Sequence, residues 1–445
     1  MNLKTFALGG VHPPENKIAQ NSAIESIDIP SKITIPVSMH LGAPAEPVVK
    51  KGDNVKAGTL IAKASSFISA NIHSSVSGKV LKIDKVLTAS GYKADAIVIK
   101  VEGDEWEDFI DRSSDIVRET SLNKDQLIEK IKENGIVGLG GAAFPTHVKY
   151  MVPEDKKVDT LIINAVECEP YLTADYRVMM ERPDELLIGT EILKKTLGVN
   201  RAVIGIENNK PEAIKKLGKK VSEYEGIEIV PLKIKYPQGA EKQLIKAVVN
   251  REVPSGKLPL EVGCVVNNVG TAVAVYEAVI KNKPLFERVV TVTGKKLEKP
   301  SNFLTRVGIP ASDLIKKAGG MPDNTGKLIS GGPMMGKAVA DENIPIEKAT
   351  SGLLLLDESE SRRKKIFNCI RCGKCISVCP MGIEPYLVEK HSESEQWEEC
   401  ESLDVMDCIE CGSCSYTCPS SRPLLDNIRL AKGNVNKIRR ERSKK

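Results

Sequence analysis

The chain has 445 residues, 41% hydrophobic and 28% charged, with a formal net charge of +5. Its length suits roughly three domains by the usual 100–200 residues each, and no run approaches the ~20 apolar residues that a membrane-spanning helix needs. Aromatics at 4% offer no stacking platform for nucleic acid, and the start, with Lys4 among mixed residues, has no apolar signal core, so a cytoplasmic protein held at any membrane by partners is expected.

Residues 1–110 read as β. Ile33, Ile35 and Val37 alternate, Val48–Val55 gives strand, turn and strand around Gly52-Asp53, and Ser77–Ile83 and Ala96–Val101 continue the pattern. "VKKGDNVKAGTLIA" followed by "IHSSVSGKVLKI" resembles a biotinyl/lipoyl-type barrel-sandwich hybrid. Carrier domains of that type bear a lysine at the hairpin tip, where this chain has Ser66-Phe67-Ile68-Ser69-Ala70. A structural or docking module is therefore expected, not a swinging arm.

Residues 120–285 read as α/β. Leu127, Ile128 and Ile131 mark a helix over Asp125–Glu133, and Val158–Asn164, Ala202–Ile206 and Ile227–Ile234 are apolar strands. Helices over Glu185–Thr196 and Glu212–Glu223 lie between them. The loop Gly138-Leu139-Gly140-Gly141-Ala142-Ala143-Phe144 formally matches G-x-G-x-x-A. A dinucleotide fingerprint follows a strand, whereas this loop follows a helix, so a Rossmann turn is rejected. The glycines still allow a flat ring or a phosphate to approach the backbone, with Phe144 available for stacking and Lys149 for a phosphate; a plain tight turn is the alternative. Three further segments, Asn164–Pro170, Tyr236–Glu241 and Asn267–Thr271, place Asn and Glu side chains at strand ends, as a ligand crevice at the carboxyl edge of a sheet requires. Each alone is also explained by a capped turn, Asn267-Asn268 being a plausible helix N-cap.

Residues 286–356 return to short strands, Arg288–Thr293 and Lys327–Ser330, with a helix near Ala311–Ala318 and glycine turns at 319–320 and 331–332, resembling a small β-grasp domain of the SLBB type. Asp357–Lys365 reads as a linker.

The segment 357–425 carries two C-x2-C-x2-C-x3-C-P runs: Cys369, Cys372, Cys375 and Cys379, then Cys408, Cys411, Cys414 and Cys418. This is the ferredoxin spacing for two [4Fe–4S] clusters, in which the fourth cysteine of each run ligates the other cluster. One cluster then takes Cys369, Cys372, Cys375 and Cys418, and the other takes Cys408, Cys411, Cys414 and Cys379. Zinc sites pair shorter C-x2-4-C units, and disulfides suit short secreted chains. Glu384–Cys400 is expected as a helix spacing the runs. Cys168, Cys264 and Cys400 read as structural. The tail, 426–445, holds eight Lys/Arg against one Glu from Arg429 onward and reads as a solvated, frayed end, with a membrane surface or an acidic partner as the alternative.

The order of the motifs resembles the flavin-binding subunit of bacterial complex I, with its G-x-G-G-x-x-F-P loop, N-A-[DV]-E-x-E-P strand end, Y-x-x-G-x-E turn and N-N-V-x-T segment. That resemblance implies that Gly138, Gly140, Gly141, Lys149, Asn164, Glu167, Gly239, Asn267, Asn268 and Thr271 hold FMN. It also implies that Phe144, Glu169, Tyr236 and Glu241 face NAD(H), Glu169 and Glu241 acting on the ribose or on ordered water and disfavouring NADPH. Leu139, Ala143 and Ala240 depart from the complex I pattern. The barrel-sandwich front, the two-cluster tail, "LGGVHPPENK" at 8–17 and "GGPMMG" at 331–336 resemble the C subunits of Rnf electron-transport complexes over nearly the whole chain. Such subunits are implied to pass electrons between ferredoxin and NAD+ through two [4Fe–4S] clusters and FMN. They would do so at the cytoplasmic face of the cell membrane, bound to membrane-embedded and iron–sulfur partner subunits. Two alternatives remain open at this point: a soluble NADH-dependent cobalamin reductase of a microcompartment, and a relay protein that has lost its flavin.

Overall fold

The computed structural model describes residues 3–443. Before the first barrel strand, residues 4–26 run as a strap over later parts of the chain. Lys4 bridges in parallel to Leu232, Val11 pairs antiparallel with Tyr236, and Ile24–Ser26 adds a parallel edge strand to Ser301–Arg306.

The barrel-sandwich consists of a four-stranded sheet, Lys32–Pro36, Lys93–Gly103, Ser77–Leu87 and Asn54–Val55 in spatial order, facing the short strands Glu46–Pro47, Leu60–Lys63 and Ile72–His73. Alternation drives Ile33, Ile35, Ile97 and Ile99 fully inside. That interior is continuous with Val290, Phe303 and Leu314 of the β-grasp unit, so the two domains share one core. The barrel also reaches the glycine loop. The Leu41 amide donates to the Ala143 carbonyl at 3.0 Å. Lys348 of the β-grasp unit, fully buried, donates to the carbonyls of Asn71 (2.9 Å) and Gly135 (2.7 Å), and burial pushes its ammonium down to about 7. The barrel is thus fixed as a brace, in keeping with a tip that carries no lysine.

The α/β unit is a fully parallel sheet in the order Ile227–Leu232, Arg201–Glu207, Thr160–Ala165, Cys264–Asn268. Its strands are covered on both faces, as parallel sheets are. Leu161, Ile163 and Ala165 face the helices Pro183–Leu197 and Val269–Ile280, while Ile162 and Val166 face Glu241–Val249. The chain winds one way from Thr160–Ala165 and then returns to place Cys264–Asn268 on its other side. The carboxyl ends of those two strands therefore flank the switch point where open α/β sheets bind ligands.

The β-grasp sheet runs Ile24–Ser26, Ser301–Arg306, Glu287–Thr293, Gly352–Asp357, Thr325–Ser330 and Lys337–Val339, with the helix Ala311–Lys317 across it. The expected linker begins as a single turn, Glu358–Ser361, capped by Asp357, before the chain loses regular structure.

In the cluster unit the expected single spacer helix is two, Pro385–Glu393 and Trp397–Ser402, interrupted at Glu395, which takes a φ of 55°. The tail departs further from expectation. It is a 19-residue helix, Leu424–Arg442, burying Leu424, Ile428, Ala431 and Val435. Its basic side chains are partly used at home: Arg429 and Lys432 pair with Glu410, and Arg439 and Arg442 pair with Glu401. Residues 444–445 of the tail lie outside the described residues.

Helices Pro183–Leu197 and Val269–Ile280 cross where Gly189 lies against Ala272, so closely that a Cβ on Gly189 would sit 1.9 Å from the Ala272 carbonyl oxygen. Both helices are backbone-rigid at the crossing, so they must separate to admit a methyl. The Gly189→Ala variant is expected to lose about 3 kcal/mol, read as a lower midpoint in urea unfolding.

Candidate flavin and cluster site

The helix Lys124–Glu133, closed by an Asn123–Gln126 capping box, delivers the chain through buried Ile136 and Val137 into the glycine loop. The Gly138 amide donates to the Phe144 carbonyl at 2.8 Å, closing the loop, and the Leu139 amide donates to Thr271 Oγ1 at 2.9 Å, anchoring it to the next helix. Gly140 rests on Asn268, with a Cβ there only 3.4 Å from the Asn268 Cβ, whereas Gly141, at φ 111°, faces open space.

Around this loop the strand ends deliver polar groups. Lys149 Nζ donates to Glu241 Oε1 (2.9 Å) and to the Val266 carbonyl (2.8 Å). Asn164 Nδ2 donates to the Gly239 carbonyl (2.7 Å). Asn267 donates to the Tyr150 hydroxyl, and Asn268 Nδ2 to Asp175 Oδ2 (2.6 Å). Asn268 Oδ1 also accepts from the Gly270 amide at 2.8 Å, so it caps its helix as well as facing the loop. Gly138, Gly140, Gly141, Lys149, Asn164, Gly239, Glu241, Asn267, Asn268 and Thr271 are thereby gathered at one sheet edge, with half-buried Phe144 on the rim. An ammonium, glycine amides open on one side and carboxamide edges fit the phosphate and polar ring edge of FMN.

Three expected site residues are used differently. The Glu167 carboxylate accepts from the amides of Asp175 (2.7 Å) and Tyr176 (3.3 Å), binding the start of the helix Ala174–Glu181, and burial pushes its carboxyl upward. Both Glu169 oxygens are taken by the amides of Met334 (3.1 Å) and Met335 (2.7 Å), in the "GGPMMG" turn of the β-grasp unit. Burial pushes Glu169 up to about 7 despite those donors. Tyr236 is 2% exposed, and its hydroxyl donates to the Cys411 carbonyl at 2.7 Å. Glu169 and Tyr236 therefore face the β-grasp and cluster units. The sequence expectation turns them toward the nucleotide; here their polar atoms are engaged by those units.

Cys379, Cys408, Cys411 and Cys414 surround a cavity walled by Ile383, Ile409, Leu425 and Ile428. These are the four thiols that the interleaved spacing assigns to one cluster. Among the described residues no group of three His, Cys, Asp or Glu side chains is arranged to hold a metal ion. Burial pushes the Cys408 thiol up to about 11 and the Cys414 thiol up to about 12. The other set is open: Cys369 and Cys372 are exposed, and Cys375 and Cys418 half-buried. Cys168 Sγ accepts from the Gly239 amide at 3.4 Å, and burial pushes that thiol up to about 12. Cys264 and Cys400 are fully buried.

The buried cluster loop is pinned to the flavin sheet by groups that motif reading passed over. The Gly10 amide donates to the Val378 carbonyl at 2.8 Å, and Gln243 Nε2 donates to the Pro380 carbonyl at 3.1 Å. Any Cβ on Gly9 would lie 2.5 Å from the Cys379 backbone, so "LGGVHPPENK" needs its glycines to pass the cluster loop. Its Lys17 ammonium donates to the carbonyls of Glu167 (2.7 Å), Glu169 (2.9 Å) and Leu172 (2.7 Å). Both motifs stand out as strings in the sequence; what they touch does not.

A glycine loop over the switch point of a parallel sheet, locked to paired ferredoxin loops, defines a flavin- and iron–sulfur-dependent electron-transfer protein. Family profiles agree along the chain: an RnfC barrel sandwich hybrid domain at 4–104, a Nuo51 FMN-binding domain at 131–277, an SLBB domain at 289–338 and a 4Fe-4S dicluster domain at 368–421. The C subunit of the proton-translocating ferredoxin:NAD(+) oxidoreductase complex of Clostridium ljungdahlii is 46% identical over 99% of this chain and 96% of its own. Its Na(+)-translocating counterpart from Acetobacterium woodii is 43% identical over 99% and 100%. The C subunit of an ion-translocating oxidoreductase complex of Rhodobacter capsulatus is 38% identical over 97% and 84%. The chain belongs to the RnfC family. A solved NAD+-reducing [NiFe]-hydrogenase shares the fold at a TM-score of 0.50 and 18% identity, over 70% of this chain and 62% of that one.

The Thr271→Val variant leaves the buried Leu139 amide without its acceptor, at a cost of about 1–3 kcal/mol. It is expected to keep its clusters and lose flavin on gel filtration, read as the flavin-to-iron ratio. Glu169 gives a pH signature. Its folded pKa of about 7 lies above its ordinary 4.5, so the folded state binds the extra proton between those values. Stability from this group is complete below pH 4.5 and declines as pH rises toward 7. Glu169→Gln removes the titration, and its thermal midpoint is expected to fall less than that of the parent between those pH values.

Proposed function

We propose that this chain is the peripheral electron-transfer subunit of a membrane-bound, ion-translocating ferredoxin:NAD+ oxidoreductase. It would work at the cytoplasmic face, alongside membrane-embedded and iron–sulfur subunits, and exchange electrons with ferredoxin indirectly. The observation that carries the reading is the hydrogen bond from Tyr236, on the flavin sheet edge, to the backbone of Cys411 in the buried cluster loop. It supports a chain of sites in which the Cys379, Cys408, Cys411 and Cys414 set stands next to the flavin and the Cys369, Cys372, Cys375 and Cys418 set stands beyond it.

Bound FMN would exchange a hydride with NAD(H) and electrons singly with a cluster, joining two-electron to one-electron chemistry. The protein's part is placement. Lys149, paired here with Glu241, would turn to a flavin phosphate, and Gly141 leaves the backbone bare for a ring. Asn164, Asn267 and Asn268 offer carboxamides to the ring edge. Phe144 and Glu241, at the rim, are the residues left to meet the nucleotide, Glu241 with its charge opposed to a second ribose phosphate. The relatives' full-length agreement favours this over a microcompartment cobalamin reductase, since those relatives are named as members of such complexes.

An anaerobic NADH titration of the protein reconstituted with iron–sulfur clusters and FMN is expected to bleach both the flavin and the cluster bands. Bound flavin that stays oxidised at excess NADH would refute the nucleotide site and leave a relay fed by another donor.

A further inference from the structure

The two cysteine runs fold into matching loops with opposite surroundings. Arg371 and Glu410 occupy equivalent positions, at φ 55° and 57°, and Gly373 and Gly412 follow, at 71° and 76°. Around the second loop, Cys411, Gly412, Ser413 and Cys414 are buried. Glu410 there is neutralised by Arg429 and Lys432. A Cβ on Gly412 would meet the Met334 carbonyl oxygen at 2.9 Å, whereas one on Gly373 would meet nothing within 4 Å. Every residue from Arg362 to Lys374 is exposed, Cys369 and Cys372 included.

This uncovered face is also chemically distinctive. Ile366, Phe367 and Ile370 are 53%, 56% and 67% exposed. Arg362, Arg363, Lys364, Lys365, Arg371 and Lys374 contribute six positive charges, with no Asp or Glu in the segment. None of the six joins the domain's ion pairs among the described residues. The segment is nonetheless held. The Phe367 amide donates to the Ser420 carbonyl at 3.0 Å, and Ser420 Oγ donates to the Asn368 carbonyl at 3.0 Å.

We propose that the face formed by residues 362–374 is the docking surface for an acidic one-electron redox protein, which covers the outer cluster loop as the Met334 turn covers the inner one. The inference rests on the electron-transfer reading above. Charge complementarity selects an acidic partner and steers its approach. Continuity with Cys369 and Cys372 selects a redox protein over an anionic membrane, since lipid would bury the apolar side chains but could not exchange electrons with the cluster beside them.

The test uses the holoprotein and the R371E/K374S variant, which imports the residues that the inner loop already carries, Glu at the same positive φ included. The probe is a small acidic two-[4Fe–4S] ferredoxin, used as a stand-in for the acidic iron–sulfur partner through which this chain meets ferredoxin indirectly, and its Kd is measured by calorimetry. The parent is expected to bind it and to weaken as ionic strength rises toward about 0.3 M. The variant is expected to bind about tenfold or more weakly at low salt, with cluster content and NADH bleaching unchanged. Equal Kd values, or no binding by the parent, would overturn the proposal. So would a variant that keeps the ferredoxin Kd but loses binding to phosphatidylglycerol vesicles, which would make the face a membrane surface. Flavin that NADH fails to bleach in both proteins would count against the nucleotide site alone, because the Kd comparison needs no flavin turnover.

Discussion

The hydrogen bond between the Tyr236 hydroxyl and the Cys411 carbonyl is the contact on which the rest of the arrangement depends. Electrons pass between protein-bound centres only where the intervening matter is short and fixed, so a flavin sheet and a ferredoxin unit joined by a loose tether would make a poor path. Here the joint is buried. Val11, Tyr236 and Cys411 form a small buried cluster with Cys168, Met334, Val378 and Ile409 packed against it. A buried tyrosine must find a partner for its hydroxyl, and this one finds it on the backbone of Cys411, so slippage of the joint would cost both the burial and the hydrogen bond.

That joint draws on three parts of the chain. The N-terminal strap threads between the sheet edge and Cys379, the β-grasp turn presents its amides to Glu169, and Gln243 reaches Pro380 from the flavin domain's own helix. The strap's Lys17 satisfies three carbonyls that the chain exposes as it leaves the strand Thr160–Ala165. Buried carbonyls without donors are costly, so one ammonium lets an irregular strand end remain inside the protein. The same strand end supplies Asn164 on its crevice side. The flavin crevice and the cluster joint are thus two faces of one turn, and they are set by the same residues.

Much of this was legible from local pattern. The cysteine runs are readable because ligand spacing is a property of contiguous sequence, and the structure gathers Cys379 with Cys408, Cys411 and Cys414 around one cavity. The glycine loop and the Asn267-Asn268 pair were also readable, since a loop at a switch point needs bare backbone and strand-end amides whatever lies far away. What was not legible depended on distant partners. Glu169 and Tyr236 look like substrate-facing groups in sequence because polar residues at a strand end ordinarily meet ligand or solvent. Nothing local says that a β-grasp turn about 165 residues later (Met334) and a cluster loop about 175 residues later (Cys411) will cover them. The basic tail reads as frayed from its charge, but Leu424, Ile428, Ala431 and Val435 recur at helical spacing beneath that charge, and Glu401 and Glu410 wait opposite.

The asymmetry of the two cluster loops follows from the same joint. A duplicated motif begins with equivalent surroundings, and only one copy can face the flavin sheet. The inner copy is enclosed by Met334, Leu425 and Ile428, with Glu410 paired to Arg429 and Lys432. The outer copy leaves Cys369 and Cys372 exposed, with Arg371 between them. Both copies have a cation near, Lys432 at the Cys408 carbonyl and Arg371 in the outer loop, so exposure is what separates them: added negative charge is held less readily where solvent is excluded. The packing that makes the inner loop a contact for the flavin therefore also makes the two loops unequal, and an uneven pair of sites built from nearly identical sequence needs no difference in the ligands themselves.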